Sequence, residues 1–300
     1  MENTMAINYV SSDGLNLYAR EYTSNKTANN PNKKVLLCIP GLTRNSLDYQ
    51  SFSEPFRDEY RVIAVDLRGR GNSEYDSNKV NYQPVIYARD IVELIDHLNL
   101  SDVTLVGTSL GGIVSILVSN IIPDLIESIV LNDVGPEINP VGLERIRNYV
   151  GKSTIVDSWE EAVRQNKLIN ELELPDLSEQ EWLTFTRGLY RVSTNGKIEL
   201  AYDPEISESI KVKDENTPLI HLWPQFDVIN DKPILVIRGE FSDILDVECV
   251  ERMKSVNAQL TYCEITNRGH APLLNEPQCV TALQSFFSSH QKINAIKSAN

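Results

Sequence analysis

The sequence predicts an α/β fold: a mostly parallel, eight-stranded sheet flanked by helices, with a helical lid inserted after the sixth strand. Three observations predict it. Runs such as Val35-Leu36-Leu37-Cys38-Ile39 and Ile234-Leu235-Val236-Ile237 are apolar without alternation, as strands buried on both faces of a parallel sheet should be. Helical patterns separate these runs, so the chain reads as βαβ units with right-handed crossovers. From Glu137 to about Asp231 the alternation stops, and amphipathic helical patterns replace it.

In chain order, Met5 to Val10 and Leu15 to Tyr22 read as two strands joined by the turn Ser11-Ser12-Asp13-Gly14. They imply an antiparallel edge. Thr23 to Lys34 is polar and reads as a loop. Val35 to Ile39, Arg61 to Val65, Val103 to Val106 and Ile129 to Leu131 follow as strands, and Ile234 to Ile237 and Leu260 to Ile265 complete the set. Val85 to Leu98 places Ile86, Ile91, Leu94, Ile95 and Leu98 at helical spacing. Ser109 to Asn120 is small and apolar, suited to a helix packed on the sheet. The expected division is a core of residues 1–136 and 232–300 with a lid over 137–231. In the lid, Trp159 to Leu172 and Ser178 to Tyr190 read as helices, and no buried strand is expected. Lys292 to Asn300 reads as a polar, frayed tail.

Composition narrows the function classes. The 300 residues are 41% hydrophobic and 23% charged, which suits a globular protein with a sizeable core. No run of 18 apolar residues suggests a membrane span. Met1 to Val10 lacks a basic stretch followed by an apolar one, so no secretory leader is expected. The net charge of −14 argues against nucleic acid and anionic membrane as partners. The four cysteines form no C-x-x-C pair, so no metal knuckle is expected. A cytoplasmic monomer or homodimer fits these features.

Gly107-Thr108-Ser109-Leu110-Gly111 matches G-x-S-x-G. The motif alone is moderately specific, but here a strand precedes it and a helix follows, the setting a nucleophile elbow needs. Ser109 is the expected nucleophile. A serine hydroxyl needs a base within hydrogen-bond reach. Of the four histidines, His97, His221 and His290 lie on a helix, in the return from the lid and near the C-terminus; His270 stands in a loop directly after the last strand. The carboxyl ends of the strands are where sites collect in open α/β sheets. The acid should also stand at a strand end, and Asp243, after Ile234 to Ile237, is chosen. Asp133, after Ile129 to Leu131, is its rival; Asp246 reads as a helix cap, and Asp231 precedes its strand. The backbone N–H groups of Leu42 and Leu110 are the expected oxyanion donors. Arg44, Thr108 and Trp223 are candidates for substrate contact, with a structural role for Arg44 equally open.

These residues together resemble the α/β-hydrolase superfamily over nearly the whole chain. The matching pieces are Ile39-Pro40-Gly41-Leu42-Thr43-Arg44, Asp66-Leu67-Arg68-Gly69-Arg70-Gly71-Asn72-Ser73, Gly107 to Gly112, Arg238-Gly239 with Ser242-Asp243, and Gly269-His270-Ala271-Pro272. The D-x-R-G-x-G-x-S segment is similar to that of capped esterases, enol-lactonases and carbon–carbon bond hydrolases. The resemblance implies a Ser109-Asp243-His270 triad, no cofactor, and a small-molecule ester or lactone as substrate. One departure is Pro40-Gly41, where the family often has His-Gly. Serine at the elbow argues against the dehalogenase and epoxide hydrolase activities that use Asp there. Carbon–carbon or amide hydrolysis, and a non-catalytic ligand receptor, are the competing readings.

Overall fold

The computed structural model describes residues 4–24, 33–152, 156–211 and 221–297. Strands β1 (Thr4–Val10), β2 (Asn16–Tyr22), β3 (Val35–Ile39), β4 (Arg61–Asp66), β5 (Val103–Thr108) and β6 (Ile126–Asn132) precede the insertion. Helices α1 (Gln50–Ser53), α2 (Pro84–His97) and α3 (Leu110–Ile121) connect them. The insertion holds α4 (Pro140–Tyr149), α5 (Trp159–Asn170), α6 (Glu179–Arg187), the strands β7 (Tyr190–Val192) and β8 (Ile198–Leu200), and α7 (Trp223–Val228). The chain then returns to the sheet with β9 (Ile234–Gly239), α8 (Val247–Val256), β10 (Leu260–Ile265) and α9 (Pro277–Lys297).

The eight-stranded sheet runs β1-β2-β4-β3-β5-β6-β9-β10. Its first two pairings are antiparallel and the rest parallel. The strand expected at each position is present. Alternate residues of β3 feed two cores: Val35, Leu37 and Ile39 pack with α2 and α3, whereas Leu36 and Cys38 pack with Phe52 of α1 and Leu283 and Phe286 of α9. Strands covered on both faces have no polar side to show, which is why the runs lack alternation.

Three expectations need correction or limits. The insertion is not purely helical: β7 and β8 pair antiparallel across the turn at Gly196, whose φ is 79°. Three-residue strands are too short to display a period. Residues 292–297, expected to fray, continue α9, whereas residues 298–300, and residues 25–32 of the expected Thr23 to Lys34 loop, lie outside the described residues. Among the described residues no helix is long and apolar enough to cross a membrane.

The D-x-R-G-x-G-x-S segment after β4 is a buried polar hub. Arg68 is 1% exposed and pairs with Asp90 of α2, Asp76 and Asp13. Such a buried charge is tolerated because several acceptors surround it. Arg70, equally buried, donates its Nε to the Leu42 carbonyl at 2.8 Å, so the hub braces the loop after β3.

Backbone packs against backbone where α3 crosses the sheet. A Cβ on Gly111 would come within 1.9 Å of the Ile39 carbonyl oxygen, and one on Gly107 within 2.4 Å of the Gly111 oxygen. Both obstacles are backbone and cannot rotate away. Gly111→Ala is therefore expected to destabilise the fold by about 1–3 kcal/mol or more, read as a lower midpoint in urea or thermal denaturation.

Candidate active site

Ser109 sits at the turn between β5 and α3 with φ 52° and ψ −118°. A non-glycine residue at positive φ is strained by roughly 1–3 kcal/mol and persists only where its surroundings fix it. Here the Ser109 N–H donates to the Asn132 carbonyl at 3.0 Å, while its own carbonyl accepts from Gly112 at 2.8 Å. Its hydroxyl lies 2.8 Å from His270 Nε2.

His270 comes from the loop after β10, as expected, and its Nδ1 lies 2.7 Å from Asp133 Oδ2. This corrects the expected acid. Asp133 follows β6 and is fully buried. It also accepts from the Gly239 N–H at 2.8 Å and the Ser242 hydroxyl at 2.6 Å. Three hydrogen-bond partners on one carboxylate lock its orientation. Asp243 faces elsewhere: Arg145 of α4 grips it through Nε at 2.6 Å and NH2 at 2.7 Å. Burial acts to raise the Asp243 carboxyl, but Arg145 outweighs that effect and holds the group below its ordinary range. β6 and β9 are neighbours, so both acids project from adjacent strand ends. The insertion supplies an arginine to Asp243, whereas Asp133 faces His270. Asp246 accepts from Asn139 Nδ2 at 2.8 Å and makes no side-chain cap of its own.

The loop after β3 runs beside the serine. A Cβ on Gly41 would lie 3.8 Å from the Ser109 Cβ. Among the described residues, neither the Leu42 nor the Leu110 N–H has a hydrogen-bond partner. Leu110 opens α3, whose N-terminal amides and dipole favour negative charge.

Above Ser109 and His270 lies a cavity of about 340 Å³. The sheet side contributes Leu42 and Thr108; the insertion contributes Tyr149, Ile169, Leu174 and Phe185. Thr108 lines it, and its hydroxyl accepts from Asn132 Nδ2 at 3.1 Å. Arg44 also lines it, but its Nε and NH2 bind Asp48 at 2.8 and 2.6 Å, NH2 reaches the Phe185 carbonyl at 2.8 Å, and the guanidinium lies over the Phe185 ring. Arg44 thus ties the β3 loop to α6. Trp223 is corrected outright. It is 2% exposed, donates Nε1 to Glu137 and lies beneath the Arg252 guanidinium at 3.7 Å. It opens α7, which packs on α3 rather than the cavity.

Sequence reasoning did not single out Tyr149 and Asn132. Tyr149 closes α4, and its hydroxyl has no hydrogen-bond partner among the described residues; burial pushes it above its ordinary pKa, so it stays a proton donor. Asn132 donates Nδ2 to the Pro272 carbonyl at 2.8 Å as well as to Thr108, tying the histidine loop to the elbow. Its place immediately before Asp133 at a strand end was the available signal.

The chain belongs to the alpha/beta hydrolase fold family, whose pattern it matches over residues 34–277. Several of its relatives are hydrolases. It is similar to the 3-hydroxybutyrate-oligomer hydrolase of Cupriavidus necator, 30% identical over 266 residues that cover 86% of this chain and 89% of that protein. A crystal structure of an alpha/beta hydrolase from Novosphingobium aromaticivorans matches with a TM-score of 0.87 at 34% identity, covering 96% of this chain and 99% of that one. The structure of E-2-(acetamidomethylene)succinate hydrolase shares the fold at TM-score 0.77 and 22% identity, with 95% and 100% covered.

The two acids make a direct comparison. Asp133→Asn removes the acceptor that holds the histidine tautomer, and kcat for hydrolysis is expected to fall about 10³–10⁴-fold. Asp243→Asn leaves that acceptor in place and should lower kcat by less than about tenfold on the same reasoning. Steady-state kinetics of both variants on one activated ester check this.

Proposed function

We propose that this chain is a serine hydrolase that cleaves a carboxylic ester through an acyl-enzyme, with Ser109 as nucleophile, His270 as base and Asp133 as acid. The observation that carries the reading is the unbroken relay from Ser109 through His270 to Asp133, with bonds of 2.8 and 2.7 Å, at the floor of a closed-in cavity. Ser109 Oγ attacks the ester carbonyl while His270 Nε2 takes its proton. The carbonyl oxygen gains the negative charge, and the Leu42 and Leu110 N–H groups stabilise it by donating a pair of hydrogen bonds. Collapse of the intermediate breaks the bond to the alcohol, which leaves with the proton held by His270. Water then attacks the acyl-serine by the same route and releases the acid. No step calls for a metal or cofactor.

The 137–231 segment acts in this reading as a cap that sets specificity. It lines the cavity with apolar Ile169, Leu174 and Phe185 and with polar Asn170, Gln180 and Thr184, and the Tyr149 hydroxyl adds a donor. A compact ester with an apolar body and further polar groups fits that lining. Similarity to a 3-hydroxybutyrate-oligomer hydrolase favours short esters of hydroxy acids within that class. Amide hydrolysis is the second reading, favoured by similarity to the 2-(acetamidomethylene)succinate hydrolase of Mesorhizobium japonicum, 24% identical over 236 residues.

The test is turnover of p-nitrophenyl butyrate, 3-hydroxybutyrate dimers and the corresponding amides, with a fluorophosphonate probe in parallel. Wild type should turn over the esters faster than the amides and carry the adduct on Ser109; Ser109→Ala should do neither. Wild type without turnover and without adduct overturns the serine-hydrolase reading. Tyr149→Phe should raise KM roughly threefold to tenfold, the worth of one neutral hydrogen bond, with kcat nearly unchanged.

A further inference from the structure

The loop that carries His270 hangs from one acidic residue of the insertion. Glu173 lies between α5 and α6 and is 8% exposed. Its Oε2 accepts the His270 N–H at 2.7 Å, and its backbone carbonyl accepts the Gly269 N–H at 2.9 Å. Among the described residues these two amides have no other partner. The approach is so close that a Cβ on Gly269 would stand 1.6 Å from Glu173 Oε2, so a side chain there would push the carboxylate off the His270 amide. Three residues on, Asp176 accepts from Asn267 Nδ2 at 3.0 Å and from Arg268 NH1 at 2.5 Å. One short segment of the insertion therefore holds residues 267–270 in succession.

The remaining contacts of Glu173 do not explain its burial as a simple ion pair. Arg145 NH2 stands 3.5 Å from its Oε1 but is already committed to Asp243 at 2.7 Å. Desolvation pushes the Glu173 carboxyl above its ordinary pKa, so its place is unfavourable for the residue itself. What it gains is directed at the backbone of the base. A proton transfer from serine to imidazole depends steeply on the position of the ring, and the ring position follows from the backbone at residues 269–270.

We propose that Glu173 is the positioning residue through which the docked insertion sets His270 against Ser109, so that seating of the cap and alignment of the base are one event. This rests on the serine-hydrolase reading above. Glu173 touches no substrate; it acts through the histidine backbone.

The test uses the full chain and four proteins: wild type, Glu173→Ala, Glu173→Gln and Glu173→Asp. Each is assayed for p-nitrophenyl butyrate kinetics, for the rate of fluorophosphonate labelling at Ser109, and for the downfield proton resonance of His270 Nδ1–H. Glutamine keeps an oxygen acceptor at the same reach without the charge; aspartate keeps the charge but is one methylene short. Glu173→Ala and Glu173→Asp are expected to lose roughly tenfold to hundredfold in kcat and in labelling rate, with KM within about threefold and the downfield resonance broadened or lost. Glu173→Gln should recover to within about fivefold of wild type. Alanine and aspartate variants that match wild type overturn the proposal, as does an aspartate variant that outperforms glutamine, since charge and not reach would then be the cause. If the alanine variant fails to fold, the glutamine and aspartate pair decides alone. A wild type that is never labelled overturns the serine-hydrolase reading itself, an outcome separate from the others.

Discussion

The strained backbone at Ser109 is the constraint around which the rest is arranged. A serine at φ 52° stays there only if the chain on both sides is pinned. β5 pins one side through its pairing with β3 and β6. Helix α3 pins the other, pressed so close to β3 that Gly111 has no room for a side chain. The bond from the Ser109 N–H to the Asn132 carbonyl closes the frame. Because β3, β5, β6, β9 and β10 all run parallel in this region, their carboxyl ends deliver the elbow, the amide loop, the acid and the base to one place.

Much of this was legible because it depends on local chemistry. Buried strands need apolar runs, a tight elbow needs glycines, and a base must follow a strand; the positions of Ser109 at the elbow and His270 after the last strand could be read on those grounds. The choice of acid could not. Asp133 and Asp243 both follow strands, and nothing local to either separates them. The separation lies in contacts distant in sequence: His270 reaches Asp133, and Arg145 of α4 reaches Asp243. Trp223 failed for a related reason. Its position at the return from the insertion was read correctly, but its partners, Glu137 and Arg252, turn it toward α3 and α8. The β7–β8 hairpin was missed because its strands are shorter than any period can register.

The insertion is bonded to the core at both sides of the cavity, and those bonds are polar. Arg44 spans from the β3 loop to the Phe185 carbonyl, and the Asn45 side chain donates to the Gly188 carbonyl at 2.8 Å. On the opposite side, Glu173 and Asp176 hold the histidine loop. Buried polar links of this kind add little net stability compared with apolar packing, but they specify one arrangement, because any other leaves a donor or acceptor unpaired. The cavity is therefore shaped by an insertion whose seating is directional, with its other lining side chains held between these links.

Asp133 and Asp243 divide two tasks that one carboxylate could not perform together. Asp133 is sealed from water and receives three hydrogen bonds, one of them from the base; a guanidinium placed on it would compete for the oxygen that His270 needs. Asp243 is half-buried and bonded in bidentate fashion to Arg145. Near it, the α4 backbone approaches so closely that a Cβ on Gly142 would lie 2.2 Å from the Asp243 carbonyl oxygen. It is a docking point between the cap and the β9 loop. Arg145 also screens Asp243 from Glu173, two acids that would otherwise repel each other beside the histidine. The carboxylate at the β9 end thus binds Arg145 of α4, and the carboxylate at the β6 end is left free to bond His270.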